Sequence, residues 1–318
     1  MFEQKRIYHT IIITLPERGD KFMNFRTDLA LERREYFGGR EPDGVISRTE
    51  KIGDVTISRI EITNEKGEKS LGKPRGMYVT AEVPPFTNNA PLDNENTETV
   101  ARELSALLPN EGSVMVIGLG NTRITPDALG PKCLSMIFAT RHIGGELAKS
   151  IGLDGLRSVS AIAPGVLGNT GVETGEIITG LVSRLKPAAV IAVDALAARR
   201  ASRLGSTVQM CNTGIVPGSG VGNSRKAINS ETVGVPVISV GVPTVVDAAT
   251  LASDISGGTV EDDEIRARIG EQAQQMMVTP REIDLVIERA AKLLALAINR
   301  ALQPQISAED LMMLTAPV

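Results

Sequence analysis

The stretch VMVIGLGNTRITPDALGPK, residues 114–132, is the part of the 318-residue sequence that most directly determines the fold. Its first five residues form an uninterrupted apolar run that ends in glycine, which is typical of a parallel strand buried on both faces. A glycine-rich loop follows and leads into a predicted helix. A buried strand, a loop and a helix in this order form the repeating unit of an α/β protein.

Apolar runs that recur downstream predict a sheet of several such strands. They lie at 159–163, 189–193, 207–211 and 236–241, and residues 173–185 predict a crossover helix. This alternation predicts an α/β fold with a doubly wound, mostly parallel sheet flanked by helices.

The two ends of the sequence add elements to this sheet. Residues 52–63 and 76–83 alternate between polar and apolar side chains, which predicts paired strands in a small N-terminal β-hairpin elaboration. We expect one helix to begin at Thr27 or Asp28, and a C-terminal helix to begin at the capping box 279–282.

Composition and charge narrow the possible function classes. With 34 basic and 38 acidic residues the net charge is −4, so the chain has no overall basic field for a nucleic-acid partner. Two cysteines suit a reducing cytoplasm, and two histidines leave few ligands for a zinc site. The apolar run at 7–15 is too short to cross a membrane, so we expect a cytoplasmic protein with no membrane partner.

Two acids follow predicted strands and are the candidate catalytic residues. Asp127 lies in the loop after 114–118, and Asp194 directly follows 189–193. Because adjacent parallel strands lie about 5 Å apart, their ends could bring both carboxyl groups to one water molecule. One acid would activate the water, and the other would protonate the leaving amine or stabilise the tetrahedral intermediate. The alternative is that each acid only caps a helix, with 195–204 as the helix after Asp194.

Two glycine-rich loops are candidate substrate-binding elements. The loop after 114–118 lacks the third glycine of a dinucleotide fingerprint, and the loop 212–226 lacks the Lys-Ser/Thr pair of a phosphate loop. We therefore expect no cofactor and assign no metal ligands, and the second loop is either a phosphate cradle or a peptide-binding rim. Both cysteines could be nucleophiles, but Cys133 is expected to be a buried thiol, and Cys211, which ends a predicted strand, is the better candidate of the two. The candidate substrate-binding residues are Gly118, Gly120, Asn121, Asn223, Ser224, Arg225 and Thr244.

Seven longer stretches, in order along most of the chain, carry a resemblance to a known family. They are RTDLA (26–30), GKPRGMYVTAE (72–82), VIGLGNTRITPDALGP (116–131), APGVLGNTGVETGEI (163–177), VDALAAR (193–199), NTGIVPGSGVGNSRK (212–226) and VGVPTVVDAATL (240–251). Together they resemble the germination proteases, the spore endopeptidases of bacilli and clostridia.

This resemblance implies an endopeptidase that initiates degradation of small acid-soluble spore proteins during germination. It implies a hydrogenase-maturation-protease-like core, a location in the spore core and a homo-oligomer, typically a tetramer. The proposed catalytic aspartates of the family fall on Asp127 and Asp194. The family is usually described as aspartic-type, although some classifications treat it as a metallopeptidase.

The same resemblance gives the N-terminus a role. The family cuts spore substrates after an acidic residue in a Thr-Glu-Phe-Ala type context, and Thr27-Asp28-Leu29-Ala30 is similar to it. We therefore expect a zymogen whose pro-segment, 1–28, is removed by self-cleavage between Asp28 and Leu29, leaving one α/β peptidase domain over 29–318. The alternative is that Asp28 only caps a helix.

Two other functions are compatible with the sequence. The first is a metal-dependent maturation endopeptidase related to hydrogenase proteases, for which His142 would supply the histidine. The second is a non-catalytic module that binds spore proteins, in which case neutral replacements of Asp127 and Asp194 would leave function intact.

Overall fold

An open, mixed β-sheet runs through the molecule. The structure, a computed structural model, describes residues 26–87, 94–143, 149–150, 155–222, 225–256, 267–268 and 276–315. The strands cross the sheet in the order β1-β2-β3-β7-β8-β6-β4-β5, and β9 pairs with β8. Their bounds are β1 (Val45–Ile52), β2 (Val55–Ile62), β3 (Gly76–Glu82), β4 (Val114–Gly118), β5 (Val159–Ile162), β6 (Ala189–Ala198), β7 (Thr207–Cys211), β8 (Val237–Asp247) and β9 (Met277–Val278).

Helices cover both faces of this sheet. Alternate residues of β4 point to opposite faces: Val116 packs in the cluster that includes α3, α4 and α9, whereas Ile117 packs with α6 and α7. The helices are α1 (Ala30–Glu35), α2 (Glu65–Leu71), α3 (Asn94–Leu107), α4 (Leu129–Leu134), α5 (Leu167–Thr170), α6 (Thr174–Leu185), α7 (Ser230–Val233), α8 (Ala248–Ile255), α9 (Ile283–Leu302) and α10 (Ala308–Leu314).

The predicted α/β sheet flanked by helices is confirmed, but the sheet is mixed and not mostly parallel as expected. Strands β8, β6, β4 and β5 are parallel to one another, whereas β1, β2, β3 and β7 form an antiparallel half that joins β8. Strand β7 runs opposite to β6 because the connection at 199–206 is shorter than the dozen or so residues that a parallel crossover needs.

Strand β6 corrects one alternative prediction. Residues 195–198 belong to β6, which pairs with β8 up to Val246, so Asp194 lies inside a strand and does not cap a helix at 195–204. Residues 195–198 pair with β8, and this cross-strand pairing outweighs the helix propensity of alanine.

Three further boundaries differ from expectation. The N-cap of α1 is Leu29, one residue after Asp28 and two after Thr27, the two predicted caps. The turn expected between 63 and 76 contains α2, which is capped by the Asn64 side chain. The C-terminal helix begins at Ile283, because the hydroxyl of Thr279 donates to the carbonyl of Thr244 instead of capping the helix.

Across the described ranges, every helix is too short or too polar to span a membrane.

Candidate active site

The site is built where β4 ends beside β6. Gly118, the last residue of β4, lies opposite Val193, and the N–H of Leu119 donates to the Val193 carbonyl at 2.8 Å. Beyond this point β6 continues alone on that side as residues 195–198. Asp194 directly precedes this extension, and only 7% of it is exposed.

A tight loop returns Asp127 to the same edge. The N–H of Asn121 donates to the Asp127 carbonyl at 3.0 Å, and the Asn121 side chain accepts from the N–H of Arg123. Gly120 has φ +116, and a Cβ at this position would overlap the Asp127 carbonyl, so glycine is required for the loop to close. Thr244 anchors the loop from β8, since its hydroxyl donates to the Pro126 carbonyl at 2.8 Å.

Their surroundings separate the proton affinities of the two acids. Burial, the charge of Asp127 and the charge of Asp28 raise the pKa of Asp194 well above its usual range, and its carboxylate accepts from the Ala195 N–H. Burial also raises the pKa of Asp127, but the Asn121 N–H and the charge of Arg225 oppose that rise. Asp194 therefore binds its proton more tightly than Asp127 does.

Asp28, directly before Leu29, lies in this site beside the extension of β6. The N–H of Asp28 donates to the Ala197 carbonyl at 2.9 Å. In return, the Asp28 carboxylate accepts from the Ala197 N–H at 2.9 Å and from the Ser219 hydroxyl at 2.8 Å. Asp28 thus pairs with β6 and does not cap α1. Gly220 leaves room for it, because a Cβ there would overlap the Asp28 carboxylate.

Both polar atoms of the Asp28–Leu29 peptide group are held by side chains. The Nζ of Lys73 donates to the Asp28 carbonyl oxygen at 2.7 Å. The Leu29 N–H donates to the Thr27 hydroxyl at 3.0 Å, and this hydroxyl donates to Glu32. The peptide bond expected to be cut is therefore fixed in orientation.

The residues after this bond are built into the protein interior. Leu29 and Ala30 are fully buried. Glu32 is also buried, and its carboxylate accepts from the backbone N–H groups of Arg199 and Arg200 at 2.6 and 2.9 Å. The guanidinium of Arg203 lies 3.3 Å from the same carboxylate.

The remaining sequence candidates lie in different places. Asn223 and Ser224 fall outside the described residues. Gly118 packs against the Gly130 backbone, which leaves no space for a Cβ. His142 is exposed beyond Arg141, whose N–H donates to Val159 at the start of β5, so His142 lies at the edge of the sheet opposite the acids.

Both thiols are buried, and neither contacts the two acids through a hydrogen bond in the described structure. Burial raises the pKa of Cys133, which keeps this thiol protonated. Cys211 contacts the hydroxyls of Ser239 at 2.9 Å and Thr213 at 3.2 Å. The described part of the chain contains no group of three or more His, Cys, Asp or Glu residues placed to hold a metal ion.

Sequence reasoning from the residues missed Lys73, Ala197, Ser219 and Gly220. Lys73 lies in the turn Gly-Lys-Pro-Arg-Gly at 72–76, which signals a turn but no functional site.

Comparison with known proteins identifies the class. The family model described as germination protease matches residues 27–261. Proteins named germination protease from Clostridium perfringens and Caldanaerobacter subterraneus subsp. tengcongensis are 42% and 44% identical, each over 91% of this chain and over 98% and 97% of their own lengths. One from Priestia megaterium is 38% identical over 90% of this chain and 95% of its own. These matches define a peptidase, which hydrolyses peptide bonds.

The chain belongs to the germination protease family. Among solved structures, the [NiFe] hydrogenase maturation protease HycI from Thermococcus kodakarensis KOD1 matches 62% of this chain and 98% of its own, with 17% identity and a TM-score of 0.34.

Proposed function

We propose that this protein is an endopeptidase made as a zymogen, which removes residues 1–28 by cutting its own Asp28–Leu29 bond. The processed enzyme then degrades small acid-soluble spore proteins in the spore core during germination. It acts as a homo-oligomer, with a tetramer as the expected form. The observation that carries this proposal is that the Asp28 carboxylate sits on Ala197 and Ser219 while its charge acts on Asp194.

The two aspartates divide the proton transfers. Asp127, with Arg225 and the Asn121 N–H stabilising its charged form, takes a proton from water as the water oxygen attacks the Asp28 carbonyl carbon. Asp194, which retains its proton, donates it to the Leu29 nitrogen as the C–N bond breaks. The products are a carboxyl group at Asp28 and a new amino terminus at Leu29.

The acidic residue before the cut defines a substrate preference. The Asp28 carboxylate accepts hydrogen bonds from the Ala197 N–H and the Ser219 hydroxyl, and the Asp28 N–H donates to the Ala197 carbonyl of β6. A spore protein with Glu or Asp before the scissile bond offers the same groups, and Arg225 would help to keep the base ionised beside it.

Intact mass after incubation at mildly acidic pH tests self-cleavage. We expect the full chain to lose residues 1–28 and the Asp127→Asn, Asp194→Asn double variant to slow by about 10²–10⁴-fold. Asp54→Asn, at an exposed acid in the turn between β1 and β2, is the matched control and should process normally.

The outcomes separate the parts of the proposal. If the double variant loses the segment as fast as the wild type, another active centre or a contaminating protease performs the cut. If a folded wild type never changes mass, self-cleavage is wrong. Incubation with a purified small acid-soluble spore protein, with product masses mapped to the cut positions, tests the substrate claim independently.

A further inference from the structure

The side chain of Lys73 makes a hydrogen bond to a backbone carbonyl that is not an ion pair. Its Nζ donates to a neutral backbone oxygen, the carbonyl of Asp28, at 2.7 Å. Burial lowers the pKa of Lys73, although the nearby charges of Asp28 and Glu32 oppose this and that of Arg33 adds to it. A cation placed against a carbonyl at a cost in hydration is an arrangement that suits charge development on that oxygen.

The backbone around Lys73 fixes the position of the ammonium. Gly72, with φ +58, ends α2 in the left-handed conformation, and Pro74 restricts the backbone of Lys73, which precedes it. The hydroxyl of Tyr78 donates to the Pro74 carbonyl at 2.7 Å, and Thr213 donates to the Tyr78 oxygen at 3.1 Å. Burial raises the pKa of Tyr78, so this phenol stays a donor.

The two catalytic acids leave one requirement of the reaction unmet. When water attacks the Asp28 carbon, the C=O electron pair moves onto oxygen and creates a negative charge. In the proposed division of roles, Asp127 takes the proton of the water and Asp194 delivers its proton to the Leu29 nitrogen, so the developing anion needs a further donor. The ammonium of Lys73 is already within hydrogen-bond distance of that oxygen.

We infer that Lys73 is a further catalytic residue, whose ammonium stabilises the oxyanion at Asp28 while the Asp28–Leu29 bond is cut. This inference rests on the proposed self-cleavage. In the balanced step, the water oxygen bonds to the Asp28 carbon, Lys73 holds the tetrahedral oxyanion without giving up its proton, and the C=O bond re-forms as the Leu29 amine leaves. The same ammonium would receive the carbonyl of the acidic residue in a substrate chain.

The test compares first-order processing rates of full-length variants, followed by intact mass. Lys73→Met keeps the length of the side chain and removes its charge, and we expect it to slow processing by about 10²–10³-fold, the usual effect of losing one oxyanion donor. Lys73→Arg should retain part of the rate because it keeps a cation. Lys66→Met, at an exposed lysine of α2 paired with Asp43, should process within twofold of wild type.

Chemical rescue distinguishes catalysis from a structural role. In Lys73→Ala, added ethylamine or propylamine should raise the rate in proportion to the ammonium concentration, whereas the corresponding alcohols should not. Thermal unfolding of each variant shows whether it is folded before its rate is compared.

Three results would overturn the inference. The first is a folded Lys73→Met variant whose processing rate is within about threefold of the wild-type rate. The second is a folded Lys73→Met variant that processes faster than wild type. The third is equally slow Met and Arg variants with no rescue of Lys73→Ala, which would make Lys73 a structural latch. A folded wild type that never processes would instead refute the proposed self-cleavage, and the role of Lys73 with it.

Discussion

The two sides of the Asp28–Leu29 bond are held in different ways. Before the bond, Arg26 pairs with Asp247 at 3.2 Å and is itself partly exposed, and Asp28 makes a few polar contacts with a strand edge. After it, Leu29 and Ala30 are fully buried and Glu32 is bound by backbone donors. A cut at this bond would free residues 26–28, whose described contacts are an ion pair and a few hydrogen bonds, and would leave the new N-terminus anchored in the core.

Removing the anchor after the bond should have the largest effect on stability. Glu32→Ala leaves the Arg199 and Arg200 N–H groups and part of Arg203 without their acceptor, so we expect the free energy of unfolding to fall by about 3 kcal/mol. Chemical denaturation measures it, with exposed Glu61→Ala as the control. A loss below about 1 kcal/mol would mean that α1 is not anchored through this carboxylate.

Filling the space that the Asp28 carboxylate occupies should disturb the residues before the bond and slow processing. Gly220→Ala places a methyl group where the Asp28 carboxylate lies, so we expect processing to slow by at least about tenfold, near 1.4 kcal/mol. Gly180→Ala, in α6 with open space around it, should process normally and gain up to about 1 kcal/mol in stability. Unchanged processing in Gly220→Ala would contradict the assigned position of Asp28.

Asp194 should make stability depend on pH in the direction opposite to an ion-paired acid. Folding raises the pKa of Asp194, so above a pH of about 4 the folded state binds more protons than the unfolded state. The free energy of unfolding therefore falls as the pH rises from about 4 towards the pKa of Asp194 in the folded state. In an Asp127→Asn background that blocks processing, adding Asp194→Asn should reduce this fall. At neutral pH we expect the Asp194→Asn substitution to raise the free energy of unfolding by about 1.4 kcal/mol for each unit by which folding raises the pKa of Asp194.

Adding Asp28→Asn to the Asp127→Asn background tests whether the segment before the bond contributes to that shift. Removing the Asp28 charge should make the pH dependence shallower, because this charge helps to raise the pKa of Asp194. Unfolding curves between pH 4 and 8 measure both effects, and identical slopes with and without Asp194 would refute the shift.

The smallest effect is expected at Arg26. Arg26→Gln removes a partly exposed ion pair, which is usually worth less than about 1 kcal/mol, so processing and unfolding should change only slightly at 150 mM salt. A tenfold change in the processing rate would show that the segment before the bond is held more firmly than its contacts indicate.

The parallel half of the sheet could be predicted from the sequence, and so could its two acids. Apolar runs indicate buried strands. The functional residues of an open α/β sheet lie where neighbouring strands end, which indicated Asp127 and Asp194 as candidates. The order of strands was not needed for that inference.

Lys73 could not be predicted in this way. It lies 45 residues from Asp28 in sequence, and it reaches the Asp28 carbonyl only because β3 pairs with β7 and carries its preceding turn to the site. Strand pairing over such separations depends on tertiary packing that no local pattern reports. The extension of β6 through Ala198 was missed for a related reason, since its alanines favour a helix until β8 pairs with them.

Residues 195–198 of β6 pair with β8 on one side only, and the other side has a consequence for what the enzyme can bind. Ala197 offers its N–H and carbonyl to any extended chain, as a free sheet edge does, and Asp28 now covers both. Departure of the segment would uncover a short edge that recognises backbone, so a substrate would have to be locally unfolded before it could be cut. The same edge could also capture an unrelated extended chain, and its restriction to the few residues from 195 to 198 limits that risk.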